Sequence, residues 1–192
     1  MPADHHEFAT VALGGNRYTV EQSLIRNKYA AYDENGALVL RGKQKMFKMK
    51  EEFPFVDADG NEVFAVKAGG ILDVAGNYAI IDAATGERVA ILDNDYSIFR
   101  DTWTIRDGKT EATLAKITSR GALVTLARNL LPLGELIPHK YEITDPAGDH
   151  VGAIEGQFSL RDTYDIVIDD TRDVPKDAVV AAAMVIDAIQ GN

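Results

Sequence analysis

There is no cysteine among the 192 residues. That absence removes structural disulfides, thiolate metal sites, cysteine nucleophiles and S-acyl anchors at once. Basic charge is also scarce: 20 Lys and Arg stand against 30 Asp and Glu, a formal net charge of −10. The bulk field of such a chain repels nucleic acid and opposes wholesale adhesion to an anionic membrane. Long apolar runs are missing too. The most apolar stretch, Ala178 to Ile186, is less than half of the ~20 residues that a bilayer-spanning helix needs, so the chain does not read as an integral membrane protein. Met1 to Thr10 carries Asp4, His5, His6 and Glu7 but neither a basic n-region nor an apolar core. Residues 1–12 are expected to form a flexible tail, and the protein is expected in the cytoplasm.

Catalytic and cofactor signatures are equally absent. No Walker loop or dinucleotide fingerprint occurs, since Gly69-Gly70 runs into strand-like sequence,. Ser159 and Asp162 lack a nearby base and a nucleophile elbow,. The stretch from Asp57 to Glu62 has the look of a calcium loop. Its glycine falls at the fourth place instead of the sixth, the twelfth place is not Glu, and its flanks are strand-like, so it reads as a hairpin turn. Asp93-Asn94-Asp95 and Asp169-Asp170 read as solvated loop acids, and Asp173 as a helix N-cap,. His5 and His6, His139 and His150 are scattered, with poor spacing for a metal, and read as solvated,. The expectation is a non-enzymatic protein with no cofactor and no metal.

What is present is a repeating strand–turn–strand pattern. Five turns end in glycine: Asp33 to Gly36, Asp57 to Asn61 around Gly60, Ala83 to Gly86, Arg106 to Gly108, and Asp145 to Gly148. Glycine supplies the positive φ of tight hairpin turns. The flanks, such as Tyr78-Ala79-Ile80-Ile81 and Arg88-Val89-Ala90-Ile91-Leu92, are rich in β-branched and aromatic residues,. About a dozen antiparallel strands follow, and so many in one domain must close into a barrel or sandwich to hide their edges. No linker rich in Pro, Ser or Gly divides residues 13–192, which read as a single domain. Leu123 to Leu131 is expected to be a strand followed by an irregular connection.

The period changes near the C-terminus. Asp173 suits an N-cap, Pro175 suits the first turn, and Ala178 to Ile186 is apolar on every face,. A helix over about 175–190 must therefore be surrounded, and its small alanines fit a narrow enclosure. The fold class expected is mainly β: a roughly twelve-stranded antiparallel closed barrel around a buried C-terminal helix.

Three stretches, Tyr29 to Gly36, Phe53 to Asp57 and Phe158 to Tyr164, resemble the LURP-one-related family of the tubby C-terminal and phospholipid-scramblase-like superfamily. The resemblance runs from about Arg17 to the end. It implies a tubby-like barrel of about twelve strands wrapped around the C-terminal helix. Tubby-type domains bind phosphoinositides through basic residues, and scramblases associate with membranes and calcium. This chain departs from scramblases in lacking their cysteine-rich segment and a helix long enough to span.

One local anomaly bears on binding. Arg41, Lys43, Lys45, Lys48 and Lys50 occur within ten residues that contain no acid. Arg41, Lys43 and Lys45 alternate as one face of a strand, the pattern slips at Met46-Phe47 as a bulge would cause, and Lys48 and Lys50 alternate again. The strip suits anionic phospholipid head groups or another phosphorylated ligand. The alternatives are a plain exposed strand face with edge-protecting lysines, and a protein-interaction scaffold without a small ligand. The acidity elsewhere is spread along the chain and suits a high-salt cytoplasm.

Overall fold

The structure, a computed structural model, describes residues 8–23, 28–43, 53–68, 77–96, 101–119, 140–157, 162–169 and 174–190. Within them lie β1 (Arg17–Ser23), β2 (Lys28–Asp33), β3 (Leu38–Lys43), β4 (Phe53–Val56), β5 (Glu62–Ala68), β6 (Asn77–Asp82), β7 (Arg88–Tyr96), β8 (Asp101–Asp107), β9 (Thr113–Ser119), β10 (Lys140–Thr144), β11 (His150–Gln157), β12 (Asp162–Ile168) and α1 (Lys176–Gln190). Every strand pairs antiparallel with its neighbour in the chain, and β1 closes on β12 from Arg17↔Val167 to Gln22↔Asp162. The result is an up-and-down barrel of twelve strands with no free edge,.

Side-chain alternation explains the closure. In β1, Tyr18, Val20 and Gln22 are buried while Thr19 and Glu21 are not; in β12, Tyr164, Ile166 and Ile168 are buried opposite them. The inward set packs on α1, whose residues Ala178 to Ile186 are all at most 2% exposed. A helix buried all round needs a closed wall, and a barrel of this size needs a filling. The alanines at 178 and 181–183 keep that filling slim enough to fit.

The tight turns share a device beyond glycine. Asp33 accepts the amides of Asn35 and Ala37, Asp57 those of Gly60 and Asn61, Asp82 that of Thr85, Asp107 those of Lys109 and Thr110, and Asp145 that of Asp149. Each turn thus opens on an aspartate that folds its carboxylate back onto its own loop. Gly36, Gly60, Gly86 and Gly148 have φ between +71° and +95°. Gly108 does not follow the expectation. The positive φ of its turn belongs to Glu111, at 60°. Position 108 is glycine because a Cβ there would sit 1.7 Å from the Arg88 carbonyl oxygen.

Two further expectations are corrected. Residues 8–12 were expected within a flexible tail, yet Phe8 is buried and stacks on Phe64 with ring centroids 4.9 Å apart. The Phe8 and Leu13 amides donate to the Asp177 carboxylate at the start of α1, at 3.2 and 3.0 Å. The segment is thus fastened to the start of α1 by these two bonds and to the core by the Phe8 ring. Asp93-Asn94-Asp95 is not a loop but the outer half of β7, paired with Thr102, Trp103 and Thr104 of β8. Asp170, Asp173 and the stretch 123–131 lie outside the described residues.

The up-and-down order gives the barrel two unlike ends. The five tight turns, the 8–16 segment and the start of α1 lie at one. The other holds the last residues of β1, β3, β5, β7, β9 and β11 and the first residues of β2, β4, β6, β8, β10 and β12.

Candidate anion-binding site

The β2–β3 hairpin positions the first part of the basic strip. In β3, Leu40 points into the core and is fully buried. Gly42 lies under the Phe55 ring, where a Cβ would come within 2.8 Å of it. The intervening Arg41 is therefore on the outer face and exposed, and position 43 belongs to the same face. Arg41 is partly held, since its Nη2 donates to the Ala58 carbonyl in the β4–β5 turn at 3.3 Å.

The register adds a cation that sequence reading missed. Lys28, exposed at the start of β2, is the direct cross-strand partner of Lys43, and Ala30 is the partner of Arg41. A bulge between Ala31 and Tyr32 shifts the pairing by one residue. Counting back from the turn without that bulge sets Lys28 against Gly42, so the pair is invisible in the sequence. Directly opposed residues have Cα atoms ~4.5–5.5 Å apart, and like charges at such positions are destabilising. The rim therefore concentrates positive charge at a local cost. The register sets position 43 beside Lys28 and Arg41 two residues before it on the same strand, whereas the side chain of Lys43 and residues Lys45, Lys48 and Lys50 lie outside the described residues.

Several charged groups elsewhere on the wall are paired. Arg106 binds Asp93 and Glu111, Arg88 reaches Glu111 at 3.4 Å, and Lys109 reaches Glu87 at 2.9 Å. His150, expected to be merely solvated, bridges Glu142 through Nδ1 at 3.2 Å and Asp169 through Nε2 at 3.0 Å. His139 and the 5–6 pair lie outside the described residues. Among the described residues no group of three or more His, Asp or Glu side chains is placed to hold a metal ion, and no helix is long and apolar enough to cross a membrane.

A twelve-stranded antiparallel barrel closed around a C-terminal helix, with a cationic hairpin at one end, defines the class. The family model for LURP-one-related proteins matches residues 16–187, and the chain belongs to that family. The X-ray structure of a protein from Arabidopsis thaliana is similar to it, with a TM-score of 0.57 over 99% of this chain and 98% of that one, at 10% sequence identity. At that identity the likeness concerns the fold. No curated protein matches the sequence.

Proposed function

We propose that this chain is a cytoplasmic, non-enzymatic binding module for a phosphate-bearing anion, either a phospholipid head group or a soluble phosphorylated ligand. Lys28, Arg41 and Lys43 hold it, and Lys45, Lys48 and Lys50 follow in the chain. The supporting observation is the Lys28–Lys43 register pair: two lysines opposed on adjacent strands repel each other until an anion sits between them. Arg41 adds a planar fork suited to phosphate oxygens, and the lysines act as compact point charges. The tubby-like and scramblase-like character implied by the sequence resemblance favours the same ligand class.

The test compares the wild type with Lys28→Gln/Lys43→Gln in two arms. One is calorimetric titration with inositol hexakisphosphate; the other is co-sedimentation with phosphatidylserine-containing vesicles at low and high KCl. Removing two cations near an anionic partner should lose about 2 kcal/mol, some thirty-fold in affinity. The variant should melt no lower than the wild type, because a like-charge pair has been removed. Binding in the soluble arm alone identifies a soluble ligand. A variant that binds as tightly as the wild type sinks the reading, and a protein-interaction scaffold takes its place.

A further inference from the structure

Residues 8–16 form a strap at the turn end of the barrel. Phe8 and Leu13 are buried, whereas Ala9, Thr10, Ala12 and Gly14 are exposed, so the strap is a single layer of chain. Carboxylates clasp it by its backbone. The Phe8 and Leu13 amides donate to Asp177 and the Ala9 amide to Asp82 at 2.9 Å. Lys176 Nζ holds its root, donating to the Gly14 carbonyl at 3.1 Å and to Asn16 Oδ1 at 2.6 Å. Residues 8–13 belong to no strand pair; lifting them breaks the clasp without unpairing the wall.

The Phe8 ring begins a column. It stacks on Phe64 with centroids 4.9 Å apart, and Phe64 stacks on Phe55 at 4.6 Å, both pairs at 18° between planes. All three rings are buried. Phe55 in turn covers Gly42, where a Cβ would come within 2.8 Å of the ring, and Gly42 is the residue between Arg41 and Lys43. The column therefore ends under the candidate anion site. It also ends at the thinnest seam among the described strands. There β3 pairs with β4 at Arg41↔Val56 alone, whereas every other neighbouring pair has four to seven register partners. With so short a ladder, β3 is placed against β4 largely by the Phe55 ring on Gly42 and by the Arg41 bond to the Ala58 carbonyl.

We propose that the strap is a switch for the anion site. Clasped, it holds the Phe8–Phe64–Phe55 column over Gly42 and keeps Arg41 and position 43 set for an anion. Released, it frees Phe64 and Phe55 to turn into the vacated slot, and β3 parts from β4. This rests on the anion-binding reading above and adds a control to it. Close-packed rings suit the relay, because a dense interior transmits a displacement instead of absorbing it. The lifted strap is the second state that coupling between two sites requires. Losing the preset geometry of the cations lowers affinity. Coupling is reciprocal, so an anion on β3 also tightens the clasp at Asp177 and Asp82.

The experiment joins amide hydrogen exchange of the full chain with titration by inositol hexakisphosphate and co-sedimentation with phosphatidylserine-containing vesicles. Whichever probe the wild type binds is carried through Phe8→Leu and Ile143→Ala. Phe8→Leu keeps an apolar filling but removes the stacked ring. Ile143→Ala trims a buried residue of β10, opposite β4 in the ring of strands, and controls for a general loss of stability. The switch predicts that Phe8→Leu speeds exchange in β3 and β4 beyond the rest of the wall and weakens binding ~10-fold, within the usual range of coupling. Ile143→Ala does neither. In the wild type, the bound probe should slow exchange of the Phe8, Ala9 and Leu13 amides. Phe8→Leu with wild-type exchange in β3 and β4, or with wild-type affinity, overturns the switch. So does a probe that binds the wild type and leaves those three amides unprotected, a result that stands even when Phe8→Leu does not fold; anion binding survives both. Wild-type protein that binds neither probe overturns the anion-binding reading itself, and the switch with it.

Discussion

Aspartate opens every tight turn of the barrel, and at Asp33, Asp57 and Asp82 its own turn hydrogen bonds favour the ionised carboxylate. The Ala37 amide, aided by Asn35, holds the Asp33 carboxyl below the usual range against a small desolvation. The Asn61 side-chain amide does most for Asp57. At Asp82 burial pushes upward, but the amides of Ala9 and Thr85 and the Thr85 hydroxyl outweigh it, and the carboxyl is again lowered. His150 moves the other way: its hydrogen bond to Asp169 raises its pKa above the ordinary 6.5, burial opposes this, and Glu142 adds to the rise. Its folded pKa being the higher one, the histidine stabilises the fold fully below pH 6.5, and that contribution disappears as pH rises through the folded value. His150→Gln should therefore lower the melting temperature at pH 5 and leave it unchanged near pH 9. A difference that is constant with pH would place the effect in packing instead. The turn glycines are legible in the sequence because their need is local. The His150 bridge is not, since its partners come from 8 residues before it and 19 after it and meet only across the sheet.

At the scale of elements, the helix is where pattern and structure agree most closely. An all-round apolar run of nine residues can be stable only when enclosed, and α1 is enclosed,. Ala182, fully buried at its centre, has no room or partner for a charge. Ala182→Asp should abolish the cooperative melting transition, because an unpaired buried charge costs several kcal/mol against a total of ~5–15. Deleting 174–192 should do the same, by leaving the barrel wall without its filling. A truncated chain that melts cooperatively near the full-length temperature would show that the wall stands alone. The strands were legible where glycine turns bound them. They are not legible at β7, whose Asp93-Asn94-Asp95 has the composition of a loop but is held in the sheet by seven register partners from Ala90 to Tyr96 and by the Arg106–Asp93 pair.

For the whole molecule, the crowding of acids at one end gives the net charge a place to act. Repulsion among the turn carboxylates should weaken the fold at low ionic strength. The melting temperature is therefore expected to rise clearly from low salt to molar KCl, as screening shortens the reach of those charges to ~3 Å. Sodium sulfate is the wrong probe, because it strengthens apolar burial regardless of charge. A melting temperature that stays flat across KCl would show that the turns have already absorbed their own acids through their amide contacts.

Local chemistry was enough to announce hairpins, a surrounded helix and a closed β wall, because glycine turns, alternation and an apolar run act over a few residues each. Those signals also singled out Arg41 and Lys43, which sit within one strand. The tertiary structure alone decided that Lys28 stands opposite Lys43, that Phe8 and Leu13 clasp Asp177, and that the turn acids gather at one end. These depend on a bulge that slips the register by one residue, on contacts between residues 164 and 169 positions apart, and on the alternation of strand direction around a closed ring. A linear reading counts charges without knowing which end of a strand each will occupy; closing the barrel assigns the ends.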